Sequence, residues 1–134
     1  MKRYTITCTE EQLALISAAV EDYHRFLAGQ CELDHATSVI APVEKMREAR
    51  KVLNEKVRPL VVPALSHPGA SYDWAGNGCP NDVQRRQIAM SYGIYREILH
   101  FLAVEDGRKD SVYCRPTLTC EEQGPLVHIE AKED

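Results

Sequence analysis

The amino-acid sequence predicts a single α+β domain, in which three helices pack on a small antiparallel sheet. Two segments with helical apolar spacing each follow a capping sequence, and a proline at a first-turn position opens a third helical segment. Short segments rich in β-branched and aromatic residues lie near both ends of the chain. A chain of 134 residues can bury about two-thirds of its unfolded surface in one core, so residues 1–134 are expected to form one domain.

The first helix is predicted over residues 10–28. Thr9 and Gln12 form a capping box, because the side chain of each can accept a hydrogen bond from the backbone N–H of the other. Apolar residues then recur at spacings of three or four and form a stripe that is expected to be buried: Leu13, Ile16, Val20, Tyr23 and Leu27. Gly29 is expected to end the helix, since glycine adopts the left-handed backbone of a C-terminal cap without strain.

A second helix is predicted over residues 42–57, after a connection formed by residues 30–41. Pro42 suits its first turn, where no backbone N–H is needed. Pro59 is expected to end it, because a proline inside a helix removes a hydrogen bond and clashes with the preceding turn. Its apolar residues are few among many charged ones, so we expect a surface helix with one buried face.

The third helix is predicted over residues 81–103. Asn81 is a favourable N-cap and is followed three residues later by Gln84. Apolar side chains occupy more than half of its circumference, which is typical of the central helix of a domain. These side chains are Ile88, Met90, Tyr92, Ile94, Tyr95, Leu99, Phe101 and Leu102.

The antiparallel sheet is predicted from residues 3–7, 111–119 and 126–130. These segments are rich in β-branched and aromatic residues and are bounded by turn-forming residues. Pro116 is expected at a sheet edge or a bulge, because proline cannot donate to the strand ladder. Residues 131–134 are expected to form a solvated tail.

Residues 58–80 are predicted to be a long loop, because they hold four of the seven prolines together with several glycines. Connections of this length without regular structure are uncommon in compact domains and are often functional, so the loop is a candidate for a binding site. The alternative is that Trp74 anchors the loop on the core, as large aromatic side chains commonly do.

Charge and composition disfavour several classes of protein. The formal net charge of -4 disfavours a general nucleic-acid binder, which needs a concentrated basic surface. No apolar stretch has the length of a signal peptide core or a membrane span, so a cytoplasmic protein is expected. The five cysteines include no C-x-x-C pair, which predicts free thiols; pairing of Cys114 with Cys120 across a hairpin is the alternative.

The sequence holds no recognised catalytic or metal-binding pattern. Its five histidines are scattered without ligand spacing, and it has no H-E-x-x-H, nucleophile elbow, phosphate loop or dinucleotide fingerprint. Cys79 lies near the start of the third helix, but no base is assigned to it by sequence. We therefore expect a protein that is not an enzyme and that takes no cofactor or metal.

The residues most suggestive of ligand binding lie on the third helix and on the loop before it. Arg85, Tyr92 and Arg96 fall within one angular sector of this helix, because they are spaced by seven and four residues. Arginine binds phosphate or carboxylate, and the face of a tyrosine can stack on a base. This pattern predicts a pocket for a small anionic, nucleotide-like ligand, lined by Arg25, Trp74, Asn77, Arg85, Tyr92, Arg96 and His100.

A structural explanation of the same residues competes with this pocket. The arginines can pair with carboxylates such as those of Asp82 and Glu97, and tyrosines at helical spacing are more often core residues. The glycines around Asn77 can expose backbone N–H groups to an anion at the start of the helix, but Asn-Gly is also a common turn pair.

Two blocks of the sequence, YTITCTEEQLALISAAVEDYHRFLAGQ and SYDWAGNGCPNDVQRRQIAMSYGIYREILHFL, resemble small proteins encoded by phages and prophages of gut Bacteroidota. They cover about half of the chain. The resemblance implies a role in phage–host conflict, in the cytoplasm of the host cell, and carries no active site with it.

Three functions are consistent with that setting. The first is sequestration of a nucleotide-like signal used by a host defence system, by a non-enzymatic anti-defence protein that forms a homo-oligomer. The alternative is a protein-binding inhibitor of a host defence component, and the third is a structural or accessory phage protein. Sequestration requires Arg25, Arg85 or Arg96 to converge on a cavity, whereas an inhibitor is expected to hold these arginines in ion pairs.

Overall fold

The computed structural model describes residues 2–65, 67, 69–115 and 127–133, and all regular structure in these residues is helical. The α-helices are α1 (Glu10–Leu27), α2 (Asp34–Ile40), α3 (Met46–Val52), α4 (Arg58–Val61) and α5 (Asp82–Glu105). A 3-10 turn (Val43–Lys45) precedes α3, a π-helical turn (Leu53–Val57) joins α3 to α4, and a further 3-10 turn (Val112–Cys114) follows α5.

The predicted antiparallel sheet is wrong. Residues 3–7 form no strand, the described part of 111–119 contains the 3-10 turn, and residues 127–130 have no regular structure; residues 116–126 lie outside the described ranges. The alternating pattern of residues 3–7 favours a strand only where another strand pairs with it. In the described chain that partner is absent, and Tyr4 and Ile6 are 78% and 80% exposed.

The centre of the fold is the antiparallel pair formed by α1 and α5, which agree with the predicted helices 10–28 and 81–103. The capping box at Thr9 is present, with both of its hydrogen bonds. The side chain of Asn81 accepts from the backbone N–H of Gln84 at 3.0 Å and begins α5. Local sequence therefore determined where both long helices begin.

The buried face of α1 is not the predicted apolar stripe. Ser17, Glu21, His24 and Ala28 are almost fully buried and lie on one side of the helix at spacings of four, three and four. Members of the apolar stripe are partly exposed, with Ile16 39% exposed. His24 and Glu21 have hydrogen-bond partners on this face, whereas the Ser17 hydroxyl has none among the described residues.

The predicted connection at residues 30–41 contains α2, which the sequence analysis missed. Leu33, which precedes this helix, has a left-handed backbone (φ 51°) and gives it no side-chain cap. The carboxylate of Asp22 in α1 supplies the cap instead, by accepting from the backbone N–H groups of His35 at 3.0 Å and Ala36 at 2.9 Å. This cap comes from a distant residue, so the local pattern does not reveal it.

The predicted end of the second helix before Pro59 is also wrong, because helical structure continues to Val61. The π-helical turn Leu53–Val57 immediately precedes α4 and widens the backbone ahead of the proline, which lies at the second position of α4. Wider turns of this kind relieve the contact between a proline ring and the carbonyl of the preceding turn.

The rest of residues 58–80 is tied to the end of α1 by hydrogen bonds. Arg58 is 4% exposed and donates to the carbonyl oxygens of Gly29 at 3.0 Å and His67 at 2.8 Å, and also to that of Ala70. The backbone N–H of Tyr72 donates to the carbonyl of Ala28 at 2.8 Å. The loop is therefore closely bonded to the helical body.

Within the described chain, none of the helices combines the length and apolarity of a membrane span.

Candidate functional site

Four aromatic rings form a buried cluster between α1, α5 and the loop before α5. The ring of His24 lies 5.6 Å from Tyr92 and 5.4 Å from Tyr95, and Trp74 lies 5.4 Å from Tyr92. Tyr92 and Tyr95 meet edge to face at 5.7 Å. Of the predicted site residues, Trp74 and Tyr92 are thus brought together. Trp74 is half-buried and anchors the loop on the core, as the alternative interpretation expected.

Burial in this cluster changes two protonation equilibria. Burial lowers the pKa of His24 below its ordinary value of 6.5 and outweighs the hydrogen bond to the Ile88 carbonyl, which acts to raise it. Burial also raises the pKa of Tyr95 well above its usual range, with the negative charge of Glu21 as a second cause. Both groups are therefore neutral near pH 7, as a buried aromatic core requires.

Arg96 lies beside the aromatic cluster and stacks on tyrosine faces. Its guanidinium is 4.8 Å from the ring centre of Tyr113 and 5.9 Å from that of Tyr92. Its buried Nε has no hydrogen-bond partner among the residues that the structure describes. His100, one turn further along α5, bonds the Tyr113 carbonyl through Nδ1. Arg96 is thus in cation–π contact with two tyrosine rings, and its Nε–H meets no acceptor within the described part of the chain.

The other predicted arginines are engaged with carboxylates. Arg25 donates to the Glu21 carboxylate through Nε at 3.1 Å and Nη2 at 2.9 Å, and His35 contacts the second oxygen of Glu21 at 2.8 Å. Burial is the largest single influence on the pKa of Glu21 and acts to raise it, but the hydrogen bonds and positive charges of His35 and Arg25 together lower this pKa. Arg85 lies 3.6 Å from the Asp82 carboxylate. Arg25 and Arg85 therefore each pair with a carboxylate of their own helix.

Asn77 belongs to a turn that is already occupied by a carboxylate. Asp73 Oδ1 accepts from the backbone N–H groups of Ala75 and Asn77, both at 3.0 Å, and Asp73 Oδ2 accepts from the Asn77 side chain at 3.0 Å. Backbone donors that an external anion would use are bonded to Asp73 instead. Despite the opposing effect of burial, these bonds lower the pKa of the Asp73 carboxyl.

Two surface cavities of the described chain contain few of the residues predicted to line the pocket. A cleft of about 240 Å³ is lined by Glu97, His100, Phe101, Val104, Val127, His128 and Ile129, and contains one predicted residue, His100. A groove of about 440 Å³ lies between α1, α4 and the start of α5 and contains none of them. Its lining residues are Tyr23, Phe26, Leu27, Val61, Val62, Asn81, Val83, Gln84 and Gln87, none of them charged.

Several strongly exposed apolar side chains lie together where α2 ends and the 3-10 turn Val43–Lys45 begins. Val39, Ile40 and Val43 are 84%, 81% and 85% exposed, and Pro42 between them is also exposed. We call these four residues the apolar tip. Sequence reasoning missed it because residues 30–41 were expected to be a plain connection, although the run V-I-A-P-V is unusually apolar for one.

The described residues hold no group of three or more histidine, cysteine or carboxylate side chains able to bind a metal ion. Cys8, Cys31, Cys79 and Cys114 are free thiols, while Cys120 lies outside the described ranges. Comparison of the chain with known protein families, with curated proteins and with solved structures gives no match.

Proposed function

We propose that this chain is a non-enzymatic protein-binding module that inserts the apolar tip into a cleft of its partner, in the manner of an inhibitor. The observation that carries the proposal is the exposure of Val39, Ile40 and Val43, each above 80%. Soluble domains seldom present three neighbouring large apolar side chains to water, and such patches commonly mark interaction sites. The arginines expected to face a cavity are instead largely bonded to the chain's own carboxylates.

The apolar tip is held by polar contacts on both sides. The Asp22 carboxylate caps α2, and Arg50 in α3 lies 3.0 Å from the Asp34 carboxylate and donates to Ser38 Oγ at 2.7 Å. The hydroxyl of buried Thr37 donates to the Glu32 carbonyl at 2.8 Å. A loop fixed in this way loses little conformational entropy on binding, which favours affinity.

The resemblance to phage-encoded proteins suggests the class of partner. On this proposal the partner is a component of a host defence system, and it presents an apolar cleft that receives Ile40 and its neighbours. The tip itself carries no charge, so binding is expected to depend weakly on salt concentration.

The experiment compares two aspartate variants at exposed valine or isoleucine positions. Ile40→Asp places a charge in the apolar tip, and Val104→Asp, at a position 56% exposed on α5, is the matched control. A partner that co-purifies with the wild-type protein from host cells is identified, purified and titrated by calorimetry. We expect Ile40→Asp to weaken binding at least about tenfold, on the order of 1.4 kcal/mol, while Val104→Asp binds normally. Equal affinity of both variants would contradict the proposal.

Nucleotide sequestration is the second candidate function, and Arg96 is the observation that favours it. A guanidinium in contact with two tyrosine rings, with a buried Nε that lacks a partner among the described residues, has donors and stacking surfaces of the kind that nucleotides use. Ligand entry on this proposal requires the Arg96–Tyr113 stack to open.

Thermal melting with cyclic dinucleotides and with ADP-ribose tests this second function. A shift in melting temperature that is lost in Arg96→Met, and kept in the exposed control Arg86→Met, supports sequestration. The absence of any shift at micromolar protein and millimolar nucleotide counts against it, while leaving the apolar-tip proposal intact.

A further inference from the structure

Three features of the described chain present apolar side chains to solvent, and all three lie at or along α1. The first is the N-terminal arm, residues 2–8, in which Tyr4 and Ile6 are 78% and 80% exposed. The second is the outer face of α1, formed by Gln12, Leu15, Ile16 and Ala19. The third is the uncharged groove between α1, α4 and α5 described above.

The outer face of α1 lacks the charges that a solvent-facing helix usually carries. Residues 12–20 contain no charged side chain, and Leu15 and Ile16 are 69% and 39% exposed. A helix face that remains in water normally holds charged and polar residues opposite its buried side. A neutral outer face with exposed leucine and isoleucine is typical of a helix that packs on another helix.

The N-terminal arm projects from the start of α1 without bonding to the described body of the chain. No backbone hydrogen bond joins residues 2–8 to the other described residues, and Lys2 stacks on Tyr4 within the arm. The capping box fixes Thr9 in an extended backbone (φ -75°, ψ 165°), so the direction in which the arm leaves the helix is set. Tyr4 and Ile6, the two large apolar side chains of the arm, therefore remain mostly exposed in the described chain.

We propose that a second copy of this chain covers all three features in an antiparallel dimer with reciprocally exchanged arms. A two-fold axis between Leu15 and Ile16 pairs each residue of α1 with a residue of the partner copy. The numbers of the two paired residues always add up to 31. Leu15 then lies beside Ile16 of the partner copy, and Gln12 beside Ala19, where the small side chain allows close approach.

The same two-fold axis brings each arm to the groove of the other copy. Thr9 lies beside Asp22 of the partner copy. An extended chain advances about 3.3 Å per residue and a helix about 1.5 Å, so Ile6 comes level with the last turn of the partner helix. Leu27 in that turn lines the groove, and Tyr4 reaches further along it. A single two-fold axis therefore covers the N-terminal arm, the outer face of α1 and the groove at the same time.

Charge and area are compatible with this arrangement. The charged residues of the arm are Lys2 and Arg3, and no charged side chain lies in the outer face or in the groove lining, so no close like-charge contact arises between the arm and the groove. A pair of helix faces alone falls short of the roughly 800 Å² per partner of a standard interface. Each arm adds a tyrosine and an isoleucine, and a buried tyrosine contributes on the order of 150–250 Å².

Sedimentation equilibrium of the full chain tests the dimer. We expect Ile16→Glu to weaken dimerisation at least 100-fold and Ile6→Glu at least tenfold, whereas Val112→Glu, at a position 54% exposed away from α1, dimerises as the wild type does. Circular dichroism checks that each variant keeps its helices. A wild-type chain that stays monomeric at millimolar concentration, or an Ile16→Glu variant that dimerises normally, overturns the proposal.

A mixing experiment tests arm exchange specifically. Ile6→Glu removes a working arm and Val83→Glu removes a working groove, so the homodimers of each variant contain no intact arm–groove contact. A dimer with one copy of each contains one intact contact. Native mass spectrometry of the mixture is expected to show the mixed dimer in clear excess over the statistical half, and a statistical distribution refutes arm exchange.

Discussion

Nδ1 of His24 lies 2.8 Å from the carbonyl oxygen of Ile88, and this contact joins α1 to α5 at the centre of the fold. The carbonyl oxygen can only accept, so Nδ1 carries the proton, and Ser91 Oγ is a second neighbour at 3.2 Å. Tyr92 and Tyr95 enclose the rest of the ring. His24 therefore occupies a position that in many helix pairs belongs to an apolar residue, and it is suited to the neutral imidazole.

Acid is expected to destabilise the fold through His24. Because its pKa is lowered in the folded chain, the unfolded chain binds the proton more readily, and stability is lost as pH falls below about 6.5. The loss from one group is at most about 1.4 kcal/mol per pH unit. Urea unfolding of the wild type and His24→Gln between pH 7.5 and 5.5 measures it. His24→Gln should be less stable than the wild type at pH 7.5, and its free energy of unfolding should change less with pH. The exposed control His128→Gln should show the same pH dependence as the wild type.

Ser17 is a buried polar residue whose replacement is expected to stabilise the fold. It is 1% exposed, and its Oγ has no hydrogen-bond partner among the described residues. An unsatisfied buried hydroxyl costs about 1–3 kcal/mol, so Ser17→Ala should raise the free energy of unfolding by about 1 kcal/mol. Chemical denaturation measures the change. Ser91→Ala is the contrasting variant, because the Ser91 hydroxyl is bonded to the Gln87 carbonyl at 2.6 Å and its loss should not stabilise the chain.

Arg58, the first residue of α4, is expected to be the residue on which the position of the following loop depends most. Arg58→Met removes the donors of three carbonyl oxygens, those of Gly29, His67 and Ala70, and should lower the free energy of unfolding by about 3 kcal/mol. Arg58→Lys keeps the charge but lacks the planar fork, and should lose part of that stability. Thermal unfolding ranks the three proteins. A methionine variant as stable as the wild type would show that the loop is held by other contacts.

Gly76 and Gly78 provide a matched pair for the packing of the loop on α5. Both have a left-handed backbone, with φ of 72° and 84°, so alanine at either position is strained by about 1 kcal/mol. A Cβ at Gly76 would also lie 2.9 Å from the carbonyl oxygen of Arg85, whereas a Cβ at Gly78 meets nothing within 4 Å. Gly76→Ala should therefore be the less stable variant by denaturant unfolding. Equal losses would mean that α5 yields to the added methyl group.

Only some of the residues that the sequence predicted for one binding site lie together in the structure. Trp74, Tyr92 and Arg96 lie in one neighbourhood because two of them share a face of α5 and the loop returns to it. Arg25 is instead bonded to Glu21, four residues earlier on its own helix. The spacing in sequence allows this pair but does not show that Arg25 prefers it to a ligand. The apolar tip was missed, since the exposure of a side chain depends on what the folded chain places beside it.

The sequence by itself determined where the long helices begin and end, because capping hydrogen bonds and apolar spacing act within a few residues. The alternating pattern of residues 3–7 also predicted a strand, and this prediction was wrong. Tertiary structure alone decided that this segment has no strand beside it in the described chain, that Asp22 caps α2, and that the polar face of α1 is the buried one. Strand pairing, remote capping and the choice of a buried face all depend on partners distant in sequence, which no local pattern specifies.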